Sequence, residues 1–160
     1  MLSKENTNLI QRLARQCLNR DISLVTAESC TGGLLSSLLT QEAGSSKWFD
    51  RGFVTYSNNS KIDSLGVQGE TLENFGAVSQ EVANEMSKGA LKNSEANISV
   101  SITGIAGPEG GSFNKPVGLI YVGLKFHGKI KIIKKKFKGS RLQIQKECVN
   151  FIFNYLDILI

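Results

Sequence analysis

Three short strand-like segments of this chain each break off into a cluster of hydroxyl, glycine and charged residues. Residues 22–25 run into TAESCTGG at 26–33, residues 51–54 into TYSNNSK at 55–61, and residues 97–102 into TGIAGPEGGS at 103–112. A plain turn needs one or two special residues. These junctions hold many more side chains able to react or to hydrogen-bond. In open α/β sheets ligands bind beyond the carboxyl ends of the strands, which is where all three clusters fall.

The segments between them set the fold class. Leu9, Ile10, Leu13, Ala14 and Cys17 recur at helical spacing over 4–19. A second helix is expected over 32–40. A third is expected over 77–93, with Ser79 as N-cap and Val82, Ala83, Met86 and Ala90 on one face. Strands are expected over 22–27, 51–57, 97–104 and 117–126. The last turns at His127 and Gly128 into a basic strand, as a hairpin, before a terminal helix over 140–159. Early alternation and a late hairpin predict an α/β protein, a three-layer α/β/α single domain over residues 1–160 with a mixed sheet.

Composition narrows the function classes. The 160 residues are 41% hydrophobic and 21% charged, enough for a core without disulfide or metal staples. No apolar run is long enough for a membrane span. The N-terminal segment is polar and helix-like with no secretory pattern, so a cytoplasmic location is expected. Cys17, Cys30 and Cys148 have no paired metal spacing and read as free thiols in a reducing compartment. No metal and no cofactor is expected. The net charge of +5 is local: residues 129–141, KIKIIKKKFKGSR, hold six Lys, one Arg and no acid, and leave −2 for the remainder. That ribbon reads as a solvated strand face. Nucleic-acid binding is the sharper alternative, but one Phe gives little for base stacking.

The chemistry of the junctions admits two readings each. Ser29 precedes a helix start, where unpaired N–H groups favour an anion or a developing oxyanion, and Gly32 and Gly33 allow close approach. Ser29 or Thr31 could equally be a helix cap. Lys61 is a general base only if its pKa falls from about 10.4 towards neutrality, and is otherwise a solvated lysine. A serine–lysine pair activates a hydroxyl without histidine. The sole histidine, His127, sits in the hairpin turn, which argues against a serine–histidine triad. The glycine loop with Gly104 and Gly107 could cradle phosphate, although it matches neither the P-loop nor the dinucleotide fingerprint. Cys30 is a rival nucleophile. Neighbouring side chains point apart, however, so only one of the pair should face a substrate.

Taken together, AESCTGGLL, GSSKWFDRGFVTYSNNSK, GAVSQEVANEMSKGAL, SITGIAGPEGG and KPVGLIYVGL resemble the CinA C-terminal domain family, over residues 5–157. This domain also occurs alone as the PncC-type nicotinamide-nucleotide amidase. The resemblance implies an amidohydrolase that converts nicotinamide mononucleotide to nicotinate mononucleotide and ammonia in NAD recycling, without metal. It places Ser29 on the nucleophile, Lys61 on the general base and Tyr56 beside them. Thr103 matches an active-site threonine and Arg141 an arginine near the substrate. Backbone N–H groups from Cys30, Thr31, Gly32 and Gly33, with Thr103, are the expected oxyanion donors. Ser140 and Gln145 depart from the family pattern, standing where Asp or Asn and a second arginine are frequent. Larger members carry a further N-terminal domain, so an activity of that domain is not expected here. A homodimer is expected from the resemblance and from VGLIYVGL. The competing class is a non-catalytic accessory that binds a nucleotide or nucleic acid in competence or DNA damage.

Overall fold

In the computed structural model, which describes residues 4–160, a five-stranded sheet has the order β2-β1-β3-β4-β5. The strands are β1 (Leu24–Glu28), β2 (Phe49–Val54), β3 (Ile98–Gly104), β4 (Leu119–Phe126) and β5 (Lys129–Lys136). β1 runs parallel to β2 and β3, and β4 is antiparallel to β3 and β5. The expected mixed sheet is therefore present. β1 is buried at every position, as a central strand covered on both faces must be.

Side-chain alternation sorts the two faces. Leu24, Ile98, Val100, Ile102, Ile120, Val122 and Leu124 join one core with helices α1 (Lys4–Asn19), α2 (Leu34–Leu39) and α6 (Arg141–Leu159). Val25 and Ala27 join the other with α3 (Asn58–Leu65), α4 (Gly69–Phe75) and α5 (Gln80–Lys92). The result is the three-layer α/β/α arrangement.

The second face of β3 is not apolar. Ser99 donates to the Ser87 carbonyl at 2.8 Å, Ser101 to the Ala83 carbonyl at 2.6 Å, and Thr103 to the Ala77 carbonyl at 2.7 Å. Buried hydroxyls are tolerable because each finds an acceptor on or just before α5. Small residues let the layers approach. At Gly89 of α5, an added Cβ would lie 1.9 Å from the Leu65 carbonyl oxygen at the end of α3.

The structure departs from the expected elements in three places. The strand expected over 51–57 ends at Val54. The helix expected from 32 starts at Leu34, because Gly33 takes the left-handed conformation at φ 95°. α3 and α4 were not expected at all: TYSNNSK reads as a junction, but Ser57 and Ser60 form a capping box there. The basic ribbon is the edge strand β5. Lys131 lies over Tyr155, Lys134 over Tyr121 and Lys135 over Phe151, so three of its cations rest on the chain's own rings. Lysines on an exposed edge also discourage strand pairing between molecules. His127 and Gly128, at φ 47° and 73°, make the expected two-residue turn. Among the described residues no helix is long and apolar enough to cross a membrane.

Gly89→Ala tests the close approach of α3 and α5. In an open helix the change would stabilise by about 1 kcal/mol. Here the new methyl meets backbone, so a loss of about 1–3 kcal/mol is expected, read as a lower urea midpoint at unchanged m-value.

Candidate active site

Register brings the site together. Glu28 pairs with Val54 on one side and Ile102 on the other. The ladder continues one residue further, with Thr55 N–H donating to the Glu28 carbonyl at 2.8 Å and Ser29 N–H to the Ile102 carbonyl at 3.0 Å. Ser29 thus lies level with Thr55 and Thr103, on the face covered by α3 and α5.

Lys61 reaches Ser29 from α3. It is the fourth residue of that helix, and helical side chains lean towards the N-terminus. Its ammonium position therefore returns to the segment just before the helix. Nζ lies 3.0 Å from Ser29 Oγ, 2.9 Å from the Thr55 carbonyl, 3.4 Å from that of Tyr56 and 3.5 Å from that of Ser57. Lys61 is 1% exposed. Burial lowers its pKa from the ordinary lysine range. The positive end of α3 acts in the same direction. Three carbonyl oxygens and one hydroxyl surround Nζ, and every one of these partners is uncharged.

A cavity of about 260 Å³ opens beside this pair. Ser29, Cys30, Tyr56, Lys61, Thr103, Gly104, Gly107 and Arg141 line it, all named from the sequence. Thr31, Gly32 and Gly33 do not. The expectation that their N–H groups hold an oxyanion is corrected for the glycines: Gly32 N–H donates to the Ser29 carbonyl at 3.0 Å and Gly33 N–H to Glu28 at 3.1 Å. The Thr31 hydroxyl donates to Glu28 at 2.7 Å. Thr103 is likewise unavailable as a donor, since its proton goes to Ala77.

Tyr56 lines the cavity beside the pair, its hydroxyl accepting from Arg141 Nη2 at 2.7 Å and its carbonyl lying 3.4 Å from Lys61 Nζ. Arg141 also donates from Nη1 to the Gly107 carbonyl at 2.9 Å. These two bonds, with Ser140 capping α6, settle the arginine's orientation. Gln145 donates to the Cys30 carbonyl at 2.8 Å and ties α6 to the serine turn. Cys30 packs into the α1/α6 core, and burial pushes its thiol up to about 12. Such a thiol stays protonated and is a poor nucleophile. Sequence reasoning gave no site role to Ala77, Val78 and Glu109, which complete the lining with Asn58, Ile105, Ala106 and Gly110.

Among the described residues no cluster of His, Cys, Asp and Glu has the geometry of a metal site. Cys17, Cys30 and Cys148 are all free.

A mixed α/β/α sheet with a buried serine–lysine pair at the carboxyl ends of its strands defines the class of protein. The CinA C-terminal domain profile matches residues 6–160, and the chain belongs to that family. It is 47% identical over 94% of its length to a competence-damage inducible protein of Clostridium acetobutylicum, and 51% identical over 89% to one of Clostridium perfringens. It spans 37% and 34% of those two proteins, so about a third of the curated relatives it matches. Solved structures match end to end. The competence/damage inducible protein CihA of Agrobacterium tumefaciens superposes with a TM-score of 0.95 at 42% identity, covering 99% of this chain and 98% of that one. A CinA superfamily protein of Escherichia coli gives 0.93 at 34%, covering 100% and 94%.

The lowered lysine pKa carries a signed prediction. Between its folded value and about 10.4 the unfolded chain binds the proton that the folded chain refuses. Stability therefore rises with pH through that window and is lower at its acid end. Lys61→Met removes this dependence. The stability of the variant relative to the parent should fall as pH rises towards the ordinary lysine value of about 10.4, followed by urea unfolding of both proteins.

Proposed function

We propose that this chain is an amidohydrolase that deamidates nicotinamide mononucleotide through a Ser29–Lys61 pair. The observation that carries the reading is the 3.0 Å contact between Ser29 Oγ and a buried lysine that has no carboxylate partner among the described residues. The substrate is what the family resemblance implies, and the cavity's chemistry fits it. Arg141 spends two of its five donors on Gly107 and Tyr56, leaving the others for a phosphate.

Neutral Lys61 takes the proton of Ser29 as Oγ attacks the carboxamide carbon. The amide of Cys30, the residue after the nucleophile, donates to no backbone carbonyl among the described residues and is the leading oxyanion donor. Thr103 presents only lone pairs to the cavity, because its proton is held by Ala77. It accepts from the carboxamide NH₂ and would repel a carboxylate. Lys61 returns the proton to the departing nitrogen, which leaves as ammonia. Water then enters, gives a proton to Lys61 and attacks the acyl carbon; the C–Oγ bond breaks and Lys61 returns the proton to Ser29 Oγ. The product is nicotinate mononucleotide, and no metal takes part.

The test is ammonia release by the purified chain from nicotinamide mononucleotide, with free nicotinamide as control. Ser29→Ala and Lys61→Ala should each lower the rate on the order of 10⁴-fold or more, and the double variant should be no slower than the worse single one. Lys61→Arg should not rescue, because guanidinium stays protonated. Near-normal turnover in Lys61→Arg would exclude lysine as the base. Tight, steeply salt-dependent DNA binding without ammonia release would replace the reading with the accessory one.

A further inference from the structure

The proposed reaction leaves one buried acidic side chain next to the nucleophile unused. Glu28 ends β1, is fully buried and does not line the cavity. Its side chain lies on the α2 side of the sheet, while Ser29 faces α3. Five donors converge on it. Oε2 accepts from Thr31 Oγ1 at 2.7 Å, Gly33 N at 3.1 Å and Leu35 N at 3.1 Å. Oε1 accepts from Ser36 N at 2.8 Å and Ser36 Oγ at 2.6 Å. Because the Ser36 proton goes to Glu28, Thr26 must donate to Ser36 Oγ across their 2.7 Å contact.

This cluster spans both ends of the serine turn. Its start is fixed by the ladder bonds at Glu28 and Ser29. Its return passes through Gly32 and Gly33, both left-handed at φ 60° and 95°, and is fixed by the Glu28 side chain. The chain between these anchors contains Ser29, and Gly32 N–H closes back on the Ser29 carbonyl. We propose that Glu28 is a positioning residue: it holds the 29–33 turn closed so that Ser29 Oγ stays within reach of Lys61. The proposal rests on the serine–lysine reading above. Glu28 touches neither substrate nor lysine and acts only through the turn.

A carboxylate is specifically required. Backbone N–H groups address both oxygens, so either orientation of a carboxamide would press its NH₂ against at least one of them. Glu28→Gln therefore keeps size and loses the anchor. Thr31→Val is the milder variant, removing one donor and leaving the acid.

The test uses two readouts on the folded full chain, well below its melting temperature. The first is the rate at which a small fluorophosphonate labels Ser29: the Oγ–P bond forms, the P–F bond breaks, fluoride departs, and the serine proton passes to Lys61. The second is the Ser29 Oγ–Lys61 Nζ distance in crystal structures of the variants. Glu28→Gln should slow labelling by about 10²-fold, the scale of a 1 Å misplacement, with a smaller loss in Thr31→Val. The distance should lengthen past hydrogen-bond reach in Glu28→Gln. With nicotinamide mononucleotide, kcat should fall in parallel while KM changes little, a split that mere loss of folded protein does not produce. Either labelling or distance remaining at the parent value in folded Glu28→Gln overturns the proposal. If Glu28→Gln does not fold, parent-like values in Thr31→Val overturn it. A parent protein that labels but releases no ammonia defeats the substrate assignment and not the positioning role. A parent that does not label defeats the nucleophile assignment and leaves the distance to decide.

Discussion

A lysine buried among neutral oxygens is the constraint on which the rest of this structure depends. Lys61 Nζ meets three carbonyls and one hydroxyl, and the two side-chain ion pairs among the described residues lie elsewhere. Removing the charged form from water is costly, and carbonyl dipoles return only part of that cost. Burial shifts Lys61 towards the neutral amine, the species that the proposed general-base role requires. It also demands a cover, which α3 and α5 provide together. Their close approach at Gly89 and the hydroxyl ladder from β3 to α5 are the structural means of excluding water.

The sheet and its functional edge were legible because strand alternation and strand-end polarity are local patterns. β1, β3, β4 and the hairpin turn at His127 and Gly128 fall where periodicity places them. α3 and α4 were not legible. NNSKIDSL buries only Lys61 and Leu65, so its apolar signal is weak and its lysine reads as a surface residue. The burial of Lys61 is a tertiary fact, set by the neighbouring helix. The capping box at Ser57 and Ser60 was the one available signal for α3.

The glycines at the serine turn misled. Gly32 and Gly33 looked like oxyanion donors because glycine beside a helix start exposes N–H groups. Glu28 carries no signal of its own in the sequence, because its five donors come together only in the folded turn. Gly33 N–H and Leu35 N–H donate to Glu28, while Gly32 N–H turns back to the Ser29 carbonyl, so both glycine donors are engaged within the turn. The basic ribbon carried a similar ambiguity. Its lysines were read against one Phe in the strand, but the rings beneath three of them come from β4 and α6, which only the fold brings near.

The pair also differs from a serine–histidine triad in what orients the base. A histidine base is held by a carboxylate side chain. Here the orienting groups are backbone carbonyls of residues 55–57, the stretch that enters α3. No single side chain can be deleted to remove them, and they do not titrate. The direction of the lysine is consequently stored in the path of the chain, through the end of β2 and the cap of α3. The direction of the serine is stored in the path of the 29–33 turn, and that path is held by a side chain, Glu28. Each partner is thus fixed through backbone geometry, one by a helix entrance and the other by a carboxylate-clamped turn. Their 3.0 Å contact depends on two independent pieces of chain agreeing in position.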